Sequence, residues 1–360
     1  MKIAMIINSS SGLYNFRKDL IQRMIADGHE VIALTPLEGR TDQLEEIGVR
    51  LINTEIDRRG LNPLHDISLY RQYRKILKKE KPDFAVTYTI KPNVYGGVAC
   101  RMSRISYAGN ITGLGTAFES SGLLRKVATI MNKVALKKAK CVFFENAENR
   151  DLFVNEGIIS KNQAVLLNGA GVNLEHFSYQ SYPTDDNGIR FLFMGRVMKE
   201  KGIDELFSAM QRLRDDGENC SLDLLGSFEE KYEEQIKQYE KDGWLRFHGY
   251  QSDVRPYIAD SHCFVLPSYH EGMANTNLES AATGRPVITT NIPGCKEAVV
   301  DGKSGFLCAV RNANDLCKKM KQFIALSQDK REQMGKAGRN HMENVFDKRK
   351  VVAETVKHIY

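Results

Sequence analysis

Short apolar runs alternate with segments of helical periodicity from one end of the chain to the other, and this alternation restricts the fold more than any other feature. In the first half the runs are 2–7 (KIAMII), 30–35, 49–54, 84–88, 105–111, 141–144 and 164–167. Between them, segments such as 14–27, 67–80 and 121–138 space their apolar residues as amphipathic helices do. A strand buried on both faces reads as an unbroken apolar run, and intervening helices cover those faces. The expected class is therefore α/β, with parallel sheets built of βαβ units. The rhythm breaks at 178–188 (SYQSYPTDDNG), where Pro, Gly and polar residues predict a linker. It restarts with runs at 189–195, 221–226, 245–249, 263–267, 286–290 and 305–308. At 360 residues the chain exceeds one ordinary core and suits two. The expected division is 1–180, 181–340, and a last segment 341–360 whose helix packs back on the first domain.

Several classes fall away. A membrane-spanning helix needs about 18 or more consecutive apolar residues, and no such run occurs. MKIAMIINSS is too short for a secretory h-region and reads as a first buried strand, so export is not expected. The seven cysteines (100, 141, 220, 263, 295, 308 and 317) are scattered, with no C-x-x-C pair. That excludes a disulfide scaffold and a zinc ribbon and fits a reducing compartment. Charge is uneven: 25 basic residues face 18 acidic ones in 1–180, but 26 face 27 in 181–360, giving +7 and −1. The first half is therefore expected to meet something anionic.

Two motifs carry chemistry. In 268–307, Glu271 and Glu279 stand eight apart. Glu271 follows a buried strand and precedes a glycine, which places it in a loop at a strand's carboxyl end. Glu279 falls early in a helix expected at 277–283, whose free N–H groups make an anion site. Carboxylates accept hydrogen bonds from the vicinal hydroxyls of a ribose or a sugar. The second motif, MGRVMKEKGIDEL at 194–206, ends a strand at Gly195, aims Arg196 at the cleft and opens a helix at Lys201-Gly202. Such a pair of cations suits a diphosphate, Arg as a planar fork and Lys as a mobile point charge.

These pieces resemble the retaining nucleotide-sugar glycosyltransferases of family 4, which have the GT-B architecture of two facing Rossmann-like domains. The resemblance lies in G-R-x₄-K-G at 195–202, PSYHEG, E-x₇-E, G-R-P-V-I and DGKSGFL. In the first half SSGLYNFR (10–17), DRRGLNP (57–63), TIKPNVYGG (89–97) and ITGLGTAF (111–118) resemble the members that extend lipid-linked glycans for capsules, O-antigens and N-linked oligosaccharides. It implies a donor diphosphate held by Arg196 and Lys201, ribose hydroxyls held by Glu279, and donor-sugar hydroxyls held by Glu271. Gly272 and the N–H groups of Met273, Ala274 and Asn275 would lie near the phosphates or sugar, with the base near Gly249 and Tyr250. Gly12 corresponds to a glycine loop beside donor and acceptor; Lys91, Asn93 and Gly113 fall on the acceptor or cleft side. Some relatives carry a His near TIKPN, where this chain has none between His65 and His176. Lys91 is then the local cation and is expected on the acceptor's phosphate or sugar.

The implied reaction moves a sugar, a UDP-linked N-acetylhexosamine being one such donor, to a polyprenyl-diphosphate-linked glycan with retention. Glu271, Arg196 and Lys201 are its expected catalytic residues. No Asp-x-Asp pair occurs, so no metal and no cofactor are expected. Other readings are a non-hydrolysing sugar-nucleotide epimerase and a non-catalytic sugar-nucleotide binding protein. Gly113-Leu114-Gly115 lacks the third glycine of a dinucleotide fingerprint. Basic residues crowd 57–81 and 123–140, the latter with six and no acid. There Lys126, Lys133, Lys137 and Lys140 form one face and Leu123, Val127, Met131 and Val134 an adjoining one. It is either a helix docked on the protein with its basic side in water, or one whose basic side meets anionic lipid. Without interleaved aromatics it does not suit nucleic acid. The expected place is the cytoplasm, peripheral on the inner face of the cell membrane.

Overall fold

The computed structural model describes residues 1–57, 62–114, 118, 122–184 and 186–360. Parts of the 57–63 and 111–118 motifs, Gly115 included, and Asp185 of the 178–188 segment lie outside them. The chain divides into two compact units, Met1–Ala170 with Arg349–Tyr360, and Gly171–Lys348.

The first unit holds strands β1 (Lys2–Ile6), β2 (Glu30–Thr35), β3 (Arg50–Asn53), β4 (Phe84–Tyr88), β5 (Ser106–Ile111), β6 (Cys141–Phe144) and β7 (Ala164–Leu166). They form one parallel sheet in the order β3-β2-β1-β4-β5-β6-β7. Alternate residues feed opposite faces: Ile3 and Met5 join the core beneath one set of helices, Ala4 and Ile6 the core beneath the other. This is why β1 reads as a continuous apolar run. The second unit holds β8 (Ile189–Met194), β9 (Cys220–Leu225), β10 (Leu245–Gly249), β11 (Cys263–Leu266), β12 (Val287–Thr290) and β13 (Gly305–Cys308). Their parallel order is β10-β9-β8-β11-β12-β13. In both sheets the order reverses beside the first strand, and such a switch point opens a crevice beyond the strands' carboxyl ends. Every strand expected from the sequence is present, and all seven cysteines are buried and free. No helix among the described residues is long and apolar enough to cross a membrane.

Two boundaries differ from expectation. The first crossing lies at Ala170–Gly171, ahead of the polar stretch at 178–188. Described residues of that stretch are bound into the second unit. The fully buried Arg285 guanidinium donates to the carbonyls of Gln180 (3.0 Å) and Ser181 (2.8 Å), and the Tyr182 hydroxyl donates to the His262 carbonyl at 2.8 Å. A buried cation needs such partners, and this segment supplies two of them beside the carbonyls of Ile258 and Ala259. At the other end, the helical pattern from 328 onward is broken. Helix Gln328–His341 runs into a π-turn at Met342–Phe346, Asp347 turns extended (ψ 118°), and helix Lys348–Ile359 follows. Residues from Arg349 belong to the first unit, where Val351, Val352, Val356 and Ile359 enter its core. The segment expected to return as one piece from 341 is thus divided near 348.

Candidate active site

The switch point of the second sheet lies between β8 and β11, and the loops leaving these two strands are joined. Gly202 (φ 75°) closes the loop 195–202 and begins helix Ile203–Asp215. A Cβ there would lie 2.1 Å from the Pro267 carbonyl oxygen, so only glycine permits the approach. The Tyr269 N–H donates to the Glu200 carbonyl (2.9 Å), and its hydroxyl reaches both Glu205 oxygens (2.8 and 2.9 Å). Held this way, Lys201 Nζ donates to Glu271 Oε1, and the two side chains are only 17% and 14% exposed. Such a largely desolvated charge pair tolerates the loss of neither member easily. Arg196 leaves the same loop half-exposed, with Nη1 3.9 Å from Glu229 Oε1.

The Glu271 loop rests on a turn that the sequence motifs did not single out. The Ala274 N–H donates to the Gly294 carbonyl (2.7 Å), and the Gly294 N–H donates to Glu297 Oε2 (2.8 Å). Gly294 has φ 82°, and a Cβ there would meet the Glu271 carbonyl oxygen at 2.6 Å. From below, the Thr290 hydroxyl donates to the Ser268 carbonyl (2.6 Å) and the Thr289 hydroxyl to that of Leu266 (2.7 Å). Burial pushes the Cys295 thiol up to about 12, with Glu271 adding to the shift, so it packs as an inert group. The one sequence signal for this support was Pro293-Gly294, separated by two residues from the apolar run 286–290.

Helix Asn275–Ala282 starts two residues before its expected position. Met273 and Ala274 are buried at its entry, and the N–H of Ala274, expected near the ligand, is engaged by Gly294. Glu279 retains a partial opening to solvent. Burial among protein atoms pushes its carboxyl up to about 7, opposed by the positive charge of Lys348. From pH 4.5 to 7 the folded chain therefore binds a proton that the unfolded chain does not. This group's stability contribution is full at low pH and lost as pH rises through about 7. Ribose hydroxyls bind best to the ionised form. If Glu279 holds them, the donor KM is expected to rise about tenfold from pH 8 to pH 6. Initial rates across that range would show it, and Glu279→Gln should flatten the profile. Gly249 (φ 63°) and the exposed Tyr250 end β10, two strands from β8. The structure puts them at the same carboxyl edge of the sheet as the loops of Lys201 and Glu271.

The first unit departs more from expectation. Gly12 sits inside helix Ser10–Ala26, its N–H accepted by the Ser9 cap at 3.1 Å, so no separate glycine loop forms. Asn93 is buried: it accepts from the Thr87 hydroxyl (2.7 Å) and donates to the Asn110 carbonyl (2.8 Å). Its side chain ties β4 to β5 instead of facing an acceptor. Lys91 donates to Asp66 at 2.8 Å, and the Tyr95 hydroxyl takes the other Asp66 oxygen at 2.8 Å. Gly113, just beyond β5, has φ 153°, a positive value that favours glycine. Two features were missed. Arg17 of SSGLYNFR is buried, 2.7 Å from Glu145 and 5.0 Å over the Tyr88 ring. Thr89, next after β4, is held at φ 71°, a conformation costing about 1–3 kcal/mol that persists chiefly at functional positions.

Residues 177–341 match the family of glycosyl transferases group 1, and 11–169 match the glycosyl transferase 4-like domain. The N,N'-diacetylbacillosaminyl-diphospho-undecaprenol alpha-1,3-N-acetylgalactosaminyltransferase of Campylobacter jejuni is 26% identical, over 90% of this chain and 89% of its own. The UDP-Gal:alpha-D-GlcNAc-diphosphoundecaprenol alpha-1,3-galactosyltransferase of Escherichia coli is 26% identical, over 89% and 85%. Among solved structures, Anabaena HepE in complex with UDP and glucose superposes with a TM-score of 0.80 at 17% identity, covering 99% of this chain and 98% of that one. With a glycosyltransferase family matched in each half and the two parallel-sheet units in place, the chain belongs to the family 4 glycosyltransferases of GT-B architecture.

Proposed function

We propose that the protein moves a sugar, with retention and without a metal, from a UDP-sugar to a hydroxyl of a polyprenyl-diphosphate-linked glycan at the cytoplasmic face of an anionic membrane. The observation that carries this reading is the Lys201–Glu271 pair at the switch point of the second sheet, with Arg196 on the same loop. The names of the two relatives, both acting on undecaprenyl-diphosphate-linked sugars, support the acceptor class. The UDP and glucose held by the structural neighbour support the donor class.

In this reading the bond from the anomeric carbon to the diphosphate breaks as the acceptor oxygen approaches the same face. The departing phosphate oxygen takes the acceptor's proton. Lys201 and Arg196 offset the charge growing on the diphosphate, while Glu271 orients the sugar's hydroxyls and stabilises its cationic character. The test is nucleotide release from a panel of nucleotide sugars with lipid-diphosphate glycans, and the anomeric configuration of the product. Release without an acceptor, with an epimerised nucleotide sugar, would assign the site to epimerisation instead. Excess EDTA is expected to leave the rate largely unchanged, because in this reading Lys201 and Arg196 offset the diphosphate charge. Complete loss restored by Mn²⁺ would show that the charge is balanced by a metal.

A further inference from the structure

The helix Leu123–Leu136 turns its apolar stripe away from the protein. Leu123, Val127, Ile130 and Val134 recur at intervals of four, three and four residues, which aligns them on one face. They are 78%, 42%, 62% and 45% exposed. The opposite face is anchored in the first unit. Asn132, Ala135 and Leu136 are buried, the Tyr107 hydroxyl donates to the Ala135 carbonyl, and Arg101 donates to the Val134 carbonyl at 2.8 Å. Lys126, Lys133 and Lys137 are exposed along one flank of the stripe, at intervals of seven and four residues. Leu123, Val127 and Val134, expected to form either a docked face or a mere neighbour of the basic one, are therefore the outermost part of the helix.

Isolated exposed apolar residues need no explanation, but an aligned stripe flanked by lysines does. Helices of this make lie in the plane of a membrane interface, with the apolar side sunk about 5–10 Å into the boundary between headgroups and acyl chains. Charge selects the same occupant: residues 123–140 hold six basic residues and no acidic one. We propose that this helix docks the first unit on an anionic bilayer by inserting Leu123, Val127, Ile130 and Val134, while Lys126, Lys133 and Lys137 meet the lipid headgroups. The inference rests on the lipid-linked acceptor proposed above and extends it by naming the face and the mode, insertion in place of adsorption by charge alone.

The test uses the full chain and vesicles of phosphatidylcholine, alone or mixed with phosphatidylglycerol. Binding is expected only to the mixed vesicles. Val127→Asn with Ile130→Asn should weaken it at least tenfold at unchanged circular dichroism, and Lys133→Ala about fivefold. In Ile130→Trp, brominated acyl chains should quench the new indole, whereas Trp244 is buried in the second unit. Wild-type vesicle binding by the double Asn variant, an unquenched indole, or a stripe that serves only self-association would overturn the proposal. Transfer to a water-soluble diphosphate glycan should be the same in wild type and the double Asn variant. If no acceptor is glycosylated but vesicle binding still follows the stripe, docking stands and the transferase assignment fails.

Discussion

Lys201→Ala is expected to lower turnover at least tenfold, toward the 10²–10³-fold typical of losing one preorganised group at a site of developing charge. Two losses add. The leaving diphosphate loses a charged hydrogen bond worth about 1.5–3 kcal/mol, and the largely buried Glu271 carboxylate loses its partner. Arg196→Ala should do less, since that side chain is half-exposed and its nearest carboxylate oxygen lies 3.9 Å away. Lys201→Arg should rescue little, because a planar fork does not fill the place of a compact ammonium between two loops. Wild-type turnover in Lys201→Ala, with only a lowered melting temperature, would make the pair a structural clasp between the loops.

Glu271→Gln is expected to lower kcat about 10²-fold, or about 2.7 kcal/mol, with a smaller change in donor KM. The amide keeps the shape and can still accept from Lys201. It loses the charge that strengthens hydrogen bonds to sugar hydroxyls and stabilises an oxocarbenium-like sugar. Glu279→Gln should act the other way, mainly on KM, because a ribose contact is the same in ground and transition states. Combining Lys201→Ala with Glu271→Gln should cost less than the sum of the single losses, since each single change leaves the other side chain without its counter-charge. Kinetics and thermal unfolding measured on the same samples separate this from a structural role. Unchanged rates per folded molecule in Glu271→Gln would sink the assignment.

The sites were legible unevenly. Arg196, Lys201, Glu271 and Glu279 could be chosen from sequence because each lies in a loop or helix that directly follows a strand, and local order placed them at one edge. That Lys201 and Glu271 bond each other could not be chosen, since 70 residues separate them. For Asn93, Lys91 and Gly12 the sequence did not show the partners they have inside the protein, which are Asn110, Asp66 and the Ser9 cap. A polar residue's type states what it can bind, and only the fold states whether that capacity is already used.

Among the described residues, the thirteen strands, the parallel α/β class and the two-unit plan were all legible in the sequence, because short apolar runs, most of them strands buried on both faces, recur between helical patterns at the spacing of βαβ units. Three things were decided only by tertiary structure. Arg285 claimed the carbonyls of Gln180 and Ser181, moving the crossing to Ala170–Gly171. Gly294 came to support the Glu271 loop, through a contact with no local pattern. The apolar stripe of Leu123–Leu136 turned outward, because periodicity shows that a helix has two faces and packing alone selects which one meets the protein.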